Sequence, residues 1–216
     1  MVKLSHGGRM ASTAPLAPRA QRTRTALLAA GLDLLSEKPI DALSIDEVVL
    51  RAGVAKGSFF NHFADKAAFG HAVGATVREE LEEWIGRANA GIDDPVERLA
   101  GGMATAFRFA LEERVKAIVM FRSLSGVTTR AHPLNRGVVA DLDAVEAMGL
   151  LGPEAVRGGV RYWIGLCQVA MINIIERPPE AGEGNDRLHD MIMLGLCGLG
   201  IDTVRARDIA ARVSAA

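Results

Sequence analysis

Apolar residues recur along this chain at intervals of three and four, and the strict alternation of a strand is hard to find anywhere. Leu27, Leu28, Gly31, Leu34 and Leu35 make one such stripe and predict a first helix from about Arg19 to Ser36. Phe69, Val73, Val77, Leu81, Trp84 and Ile85 keep the same period. They predict a long helix that opens with Asp65 as cap and reaches Arg87 or Ala88. The run Gly91-Ile92-Asp93-Asp94-Pro95 breaks it, and Asp94 with Pro95 opens a fifth helix. Val115–Leu124 reads as a shorter apolar helix, 126–135 as a loop, and Arg136–Met148 as an amphipathic helix. Gly152-Pro153 opens an eighth helix at about 153–177, and Pro178-Pro179 stops it. A ninth is expected at about 186–204. These last two are apolar almost all round, which predicts burial on nearly every side. Gly195, Gly198 and Gly200 weaken the ninth helix, so close packing is the expected compensation.

Between the first helix and the long one, the pattern changes to two short elements. Ser44 and Glu47 have the spacing of a capping box and start a helix with Val48 and Val49 on its apolar side. Gly53 stands where a helix takes a left-handed terminating residue, and Val54 is placed to fill the corner. A second short helix, about Lys56 to Phe63, sets Phe59 and Phe63 on one face. Its other face carries Lys56, Gly57, Ser58, Asn61 and His62. That small, polar, cationic face suits a helix lying against phosphates and base edges in a major groove.

The segment Gly53-Val54-Ala55-Lys56-Gly57-Ser58-Phe59-Phe60-Asn61-His62-Phe63-Ala64-Asp65-Lys66 resembles the DNA-binding domain of the tetracycline-repressor (TetR) family of bacterial transcription regulators. The resemblance covers roughly Arg24 to Phe69; beyond it the chain agrees with the family in length and helical texture only. It implies that Ser44, Lys56, Gly57, Ser58, Phe60, Asn61 and His62 face DNA. It implies also that Lys66 meets a phosphate at the start of the next helix. Two residues depart from the family pattern. Ala55 replaces the Ser that usually caps the recognition helix, a change worth about 1 kcal/mol. Phe60 replaces a Tyr whose hydroxyl usually reaches a phosphate.

Composition supports an all-α protein: of 216 residues, 49% are apolar and only 5% aromatic. The net charge of −1 is unlike that of a nucleic-acid binder. Its distribution is more telling. Residues 1–66 hold nine Lys or Arg against six Asp or Glu, giving +3, whereas 67–216 hold sixteen against twenty, giving −4. A basic module on an acidic body still docks on DNA locally; chance produces differences of this size too. Arg19, Arg22 and Arg24 oppose the dipole of the first helix. A DNA backbone would explain them, and so would a solvated, frayed end.

Residues 1–18 are rich in small residues, Gly and Pro, and are expected to form a disordered arm. They lack the apolar core of a signal peptide, and the longest apolar stretches fall short of the ~20 residues that cross a bilayer. A cytoplasmic protein is expected. Cys167 and Cys197 lie in apolar runs and read as buried thiols, with a redox switch the alternative.

No nucleotide loop, nucleophile elbow or zinc motif is present, and no two histidines take metal-ligand spacing in one helix. The chain is read as no enzyme, with no cofactor and no metal. Glu79-Glu80 and Glu82-Glu83 read as a solvated helix face. Met103, Phe107, Met120, Phe121, Trp163 and Met171 are either plain core or the lining of an apolar effector site. Gln168 is one of several candidates for its polar contacts, with Arg108, Arg122, His132, Tyr162 and Asn173.

The expected architecture is a three-helix helix-turn-helix DNA-binding domain at 19–66 and a helical ligand-binding and dimerisation domain at 67–216. The expected function is a repressor that binds a palindromic operator as a homodimer and is released by a small, mainly apolar effector. Pairing of helices 153–177 and 186–204 with their two-fold mates would bury their apolar faces; a monomer with a buried hairpin is the alternative. A helical binding or interaction protein with a structural helix-turn-helix is the competing function.

Overall fold

The structure, a computed structural model, describes residues 18–123, 129–180 and 182–215. The expected arm at 1–18 lies outside the described residues except for Pro18, as do 124–128 of the expected loop. Among the described residues there are ten α-helices and no strand. They are α1 (Pro18–Glu37), α2 (Ile45–Ala52), α3 (Lys56–Phe60), α4 (Lys66–Ala88), α5 (Pro95–Glu112), α6 (Arg114–Ser123), α7 (Arg136–Ala147), α8 (Pro153–Glu176), α9 (Glu183–Leu199) and α10 (Thr203–Ala215).

Local chemistry sets the boundaries. Ser44 Oγ accepts from the Glu47 amide while the Glu47 carboxylate accepts from the Ser44 amide, a complete capping box. Lys38 completes the site at 2.6 Å, and these partners hold the Glu47 carboxyl down at about 2. Gly53 ends α2 at φ 65, the left-handed geometry that glycine adopts without penalty. The Asp65 carboxylate accepts from the Ala68 amide to start α4, and Asp94 accepts from Val96 to start α5.

Buried side chains gather in two clusters. Leu27, Leu35, Val48, Phe59, Phe63 and Phe69 anchor one, built from α1, α2, α3 and the start of α4. The larger is built from α4 to α10. α4 belongs to both: Phe69 and Val73 enter the first, Val77 and Leu81 the second. α6 does likewise through Val119 and Met120.

α1 crosses α4 at Gly31, where an added Cβ would lie 2.5 Å from Phe69 Cζ and 2.7 Å from Val73 Cγ2. The Phe69 ring is itself fixed against Phe59 and Phe63, with centroids 5.3 and 5.0 Å away. Gly31→Ala is therefore expected to cost about 1–3 kcal/mol despite its better helix propensity. A thermal melt would show a lowered Tm; an unchanged or raised Tm would mean the crossing yields.

The chain after Pro179 differs from the sequence reading. The helix expected at 186–204 is two helices. Gly200 adopts φ 97 and ends α9, with its amide donating to Cys197 and that of Ile201 to Leu196. An added Cβ there would lie 2.6 Å from the Gly152 amide nitrogen. Asp202 then caps a further helix, α10, through the Val204 and Arg205 amides, and Ala206, Ile209 and Ala210 bury against the core. The glycines of α9 are explained within the chain. An added Cβ on Gly195 would lie 2.7 Å from the Trp163 ring, and one on Gly198 would collide with the Tyr162 hydroxyl. That hydroxyl donates to the Leu194 carbonyl at 2.9 Å.

Candidate DNA-reading helix and ligand cavity

α3 is shorter than the expected Lys56–Phe63, since α-helical geometry stops at Phe60. The amides of His62 and Phe63 both donate to the Phe59 carbonyl at 3.0 Å, which tightens the last turn. No side chain caps its start, as the Ala55 substitution implies. Phe59 is completely buried and Phe63 nearly so, their rings 5.5 Å apart. This inner face fixes the helix against α1, α2 and α4.

The outer face carries Lys56, Gly57, Phe60 and Asn61, all exposed, with Ser58 and His62 half-buried beside them. Phe60 is 53% exposed and meets Phe59 edge-on at 5.4 Å. Nothing lies within 4 Å of a Cβ built on Gly57, and its φ is not positive. Its lack of a side chain thus has no explanation inside the free chain. Lys56 pairs with Asp46 at 2.8 Å, but both are exposed and such pairs are worth at most ~1 kcal/mol. Ser44 is exposed at the start of α2, its hydroxyl engaged with Glu47.

Two basic residues have intramolecular roles that the sequence did not disclose. Lys66 Nζ donates to the carbonyls of Asp41 and Leu43, each at 2.9 Å, and so clamps the α1–α2 connection to the start of α4. Arg24 lies over the Phe63 ring, 5.5 Å from its centroid. Arg19 and Arg22 stay exposed. Lys66→Ala is expected to weaken binding to every duplex about equally and to flatten the salt slope by about one unit. Asn61→Ala should instead relax the preference at particular base pairs. Affinities over a salt series, on matched and mismatched duplexes, separate the two. An unchanged salt slope would confine Lys66 to its two carbonyls.

The second site is a cavity of about 630 Å³ between α4, α5, α6, α7 and α8. Met120, Phe121, Trp163, Gln168 and Met171 line it, as does Cys167. Met103 and Phe107 lie outside that lining, packed in the core with almost no exposure. Of the other polar candidates, only Gln168 lines the cavity. Arg122 binds the Leu35 and Ser36 carbonyls, Tyr162 the Leu194 carbonyl, and Asn173 pairs with Arg187. His132 accepts from the Leu134 amide, and Arg108 lines a smaller cleft beside Trp84.

The polar edge comes from Glu82, read as part of a solvated face, and from Arg78, Arg98 and Asp141, which the sequence reading did not single out. Glu82 and Arg78 pair at 2.7 Å, Asp141 and Arg98 at 2.6 Å, and all four line the cavity. Burial raises the Glu82 and Asp141 carboxyls above their ordinary values, each against the opposing pull of its arginine. Cys167 is also desolvated, its thiol pushed up to about 12, which leaves it protonated and a poor nucleophile. Cys197, read as buried, is exposed.

Residues 27–73 match the sequence model of the tetR family of bacterial regulatory proteins. The match marks this N-terminal segment as similar to that family. The chain is similar to the transcriptional regulator AcuR of Cereibacter sphaeroides, with 42% identity over 57 residues, or 26% of each chain. It is similar also to the uncharacterized HTH-type transcriptional regulator YdeS of Bacillus subtilis, with 41% identity over 51 residues, 24% of this chain and 26% of that one. The matched segment thus spans about a quarter of these relatives. The TetR-type fold extends much further. A putative tetR family regulator from Shewanella sp. PV-4 superposes with a TM-score of 0.72 over 83% of this chain and 99% of its own, at 16% identity. RolR in complex with resorcinol superposes at 0.59 over 90% and 95%, at 22% identity. A gamma-butyrolactone receptor does so at 0.57 over 91% and 99%, at 19% identity.

Proposed function

We propose that the chain is a ligand-responsive transcriptional repressor that binds a palindromic operator as a homodimer and releases it when a small, mainly apolar effector enters the cavity. In this reading residues 19–66 form the DNA-binding unit and 67–216 the ligand-binding and dimerisation unit. The protein acts in the cytoplasm and catalyses no reaction. The observation that carries the reading is the outer face of α3. Gly57 is open to solvent with no packing reason for its size, between exposed Lys56, Phe60 and Asn61. A surface that leaves room for a close backbone approach beside a cation and an amide fits a DNA groove.

Two connections support the coupling. α4 begins directly after α3 and lines the cavity with Leu81, Glu82 and Ile85. α6 lines it with Met120 and Phe121, and its Arg122 donates to the Leu35 and Ser36 carbonyls at the end of α1. An effector that shifts α4 and α6 therefore moves the DNA-reading end by two routes. Dimerisation is supported by large apolar side chains left exposed among the described residues, Val169 of α8 and Leu194 of α9, the latter 63% exposed. Two half-sites about one turn apart (~34 Å) would match such a dimer. The resorcinol bound by RolR and the ligand class for which the gamma-butyrolactone receptor is named lend further support.

Selection of duplexes from a random library, followed by gel shift and light scattering, tests the proposal. A dimer on an inverted repeat is expected. A monomer with no sequence preference would sink it and favour a binding protein whose helix-turn-helix is structural. The effector must also obey reciprocity: the factor by which it weakens DNA binding must equal that by which DNA weakens its own.

A further inference from the structure

The cavity's polar edge is more specific than its apolar walls. Glu82 places one oxygen against Arg78, and Asp141 places one against Arg98 Nε. The other oxygen of each carboxylate has no hydrogen-bond donor among the described residues. Asn89 Oδ1, buried at the same wall, also lacks one, while its amide donates to the Arg98 carbonyl. On α8, the Gln168 side chain lines the cavity with no partner among the described residues. Glu82, Asp141 and Asn89 thus each bring an acceptor oxygen without a donor to this edge.

The charges there are already balanced, two carboxylates by two guanidinium groups at 2.6–2.7 Å. Arg98 is further committed, its Nη1 donating to the Ile92 and Asp93 carbonyls at 2.9 Å. An anionic ligand would lie beside two carboxylates, and a cationic one beside two arginines, each unpaired in a desolvated site. A hydroxyl donates to the free carboxylate oxygen and leaves both pairs intact. The opposite walls supply Phe121 and Trp163 with the sulfurs of Met120, Met171 and Cys167, a soft lining suited to aromatic rings. The volume, about 630 Å³, is about four times the ~150 Å³ of a cavity that takes benzene.

Resting on the effector reading above, we propose that the cavity binds a neutral hydroxylated aromatic molecule larger than one ring, whose hydroxyl groups donate to Glu82 and Asp141. The test compares four probes on one skeleton with the full chain by calorimetry: 2,7-dihydroxynaphthalene, naphthalene, 2-naphthoate and 2-naphthylmethylammonium. The diol is expected to bind at least tenfold tighter than any of the other three. Glu82→Gln and Asp141→Asn should each lower diol affinity at least fivefold and leave naphthalene within twofold. Gln168→Leu provides a variant that disturbs neither ion pair and should weaken the diol alone. A charged probe that binds best, a diol no better than naphthalene, or no binding by any probe would overturn the assignment. Gel shifts on the selected duplex keep the two readings apart. A diol that binds with this preference but leaves DNA affinity unchanged defeats the repressor reading alone. A charged compound that releases DNA defeats the ligand class alone.

Discussion

Replacing Phe59 by Ala should dissolve the DNA-reading end while the cavity stays folded. The ring is completely buried, and it sits 5.4, 5.5 and 5.3 Å from Phe60, Phe63 and Phe69. Removing a ring from such a site costs about 3–5 kcal/mol, and at 1.4 kcal/mol per decade that is more than a hundredfold in the local opening equilibrium. The cost falls on one cluster. Leu27, Leu35, Val48 and Phe63 lose a shared neighbour, whereas Leu99, Met103 and Trp163 belong to the other cluster. Hydrogen exchange is the decisive measurement. Amides of 45–63 should exchange at least a hundredfold faster, those of 95–112 should keep their protection, and operator binding should fall in step. Equal loss of protection in both regions would mean that the two clusters unfold as one unit.

The second large effect is a gain. Phe60→Tyr should tighten operator binding. The Phe60 ring is more than half exposed on the outer face of α3, so a hydroxyl there disturbs little in the free protein. Against DNA it would supply the phosphate hydrogen bond that the tyrosine of the family pattern is known for. A bond to a charged oxygen is worth about 1.5–3 kcal/mol before ordering costs, which is roughly tenfold or more in Kd. The affinity of the variant for the selected duplex, measured beside wild type at one salt concentration, checks it. Equal affinities would mean that the ring points away from the backbone or that the phosphate already has a donor.

The parts of this fold governed by neighbouring residues were legible. The capping box at Ser44 and Glu47, the left-handed Gly53, the Asp65 and Asp94 caps and the Phe59/Phe63 pair each depend on spacings of a few residues. Errors arose where a residue's role depends on what lies across from it. Gly200 looked like a third packing glycine in a continuous helix, yet its backbone turns left-handed and meets Gly152, which only the fold brings near. Asp202, a capping residue just beyond it, was the available signal for α10. Glu82 belongs to an acidic run that reads as solvated, but α7 lies across from it and Gly137 comes within 4.0 Å of its Oε2 when given a Cβ. The cavity edge was therefore invisible, because its charges are spread over α4, α5 and α7. Met103 and Phe107 have the same character as Met120 and Trp163, and sequence cannot say which side of α5 faces a void. The short α3 reflects a bifurcated turn at Phe59 rather than any residue that stops a helix.

The Arg122 guanidinium, seated on the Leu35 and Ser36 carbonyls, bears on how regulators of this architecture are recombined. A chimera that joins a foreign reading head to the proposed ligand-binding unit at the α3–α4 corner keeps the covalent lever of α4. It keeps the strap only if the foreign α1 ends at the same height and presents two free carbonyls to Arg122. Heads of a different α1 length would still fold and still find their operators, yet would respond sluggishly to the proposed effector. A transplant that includes α6 with the head would carry its own strap across.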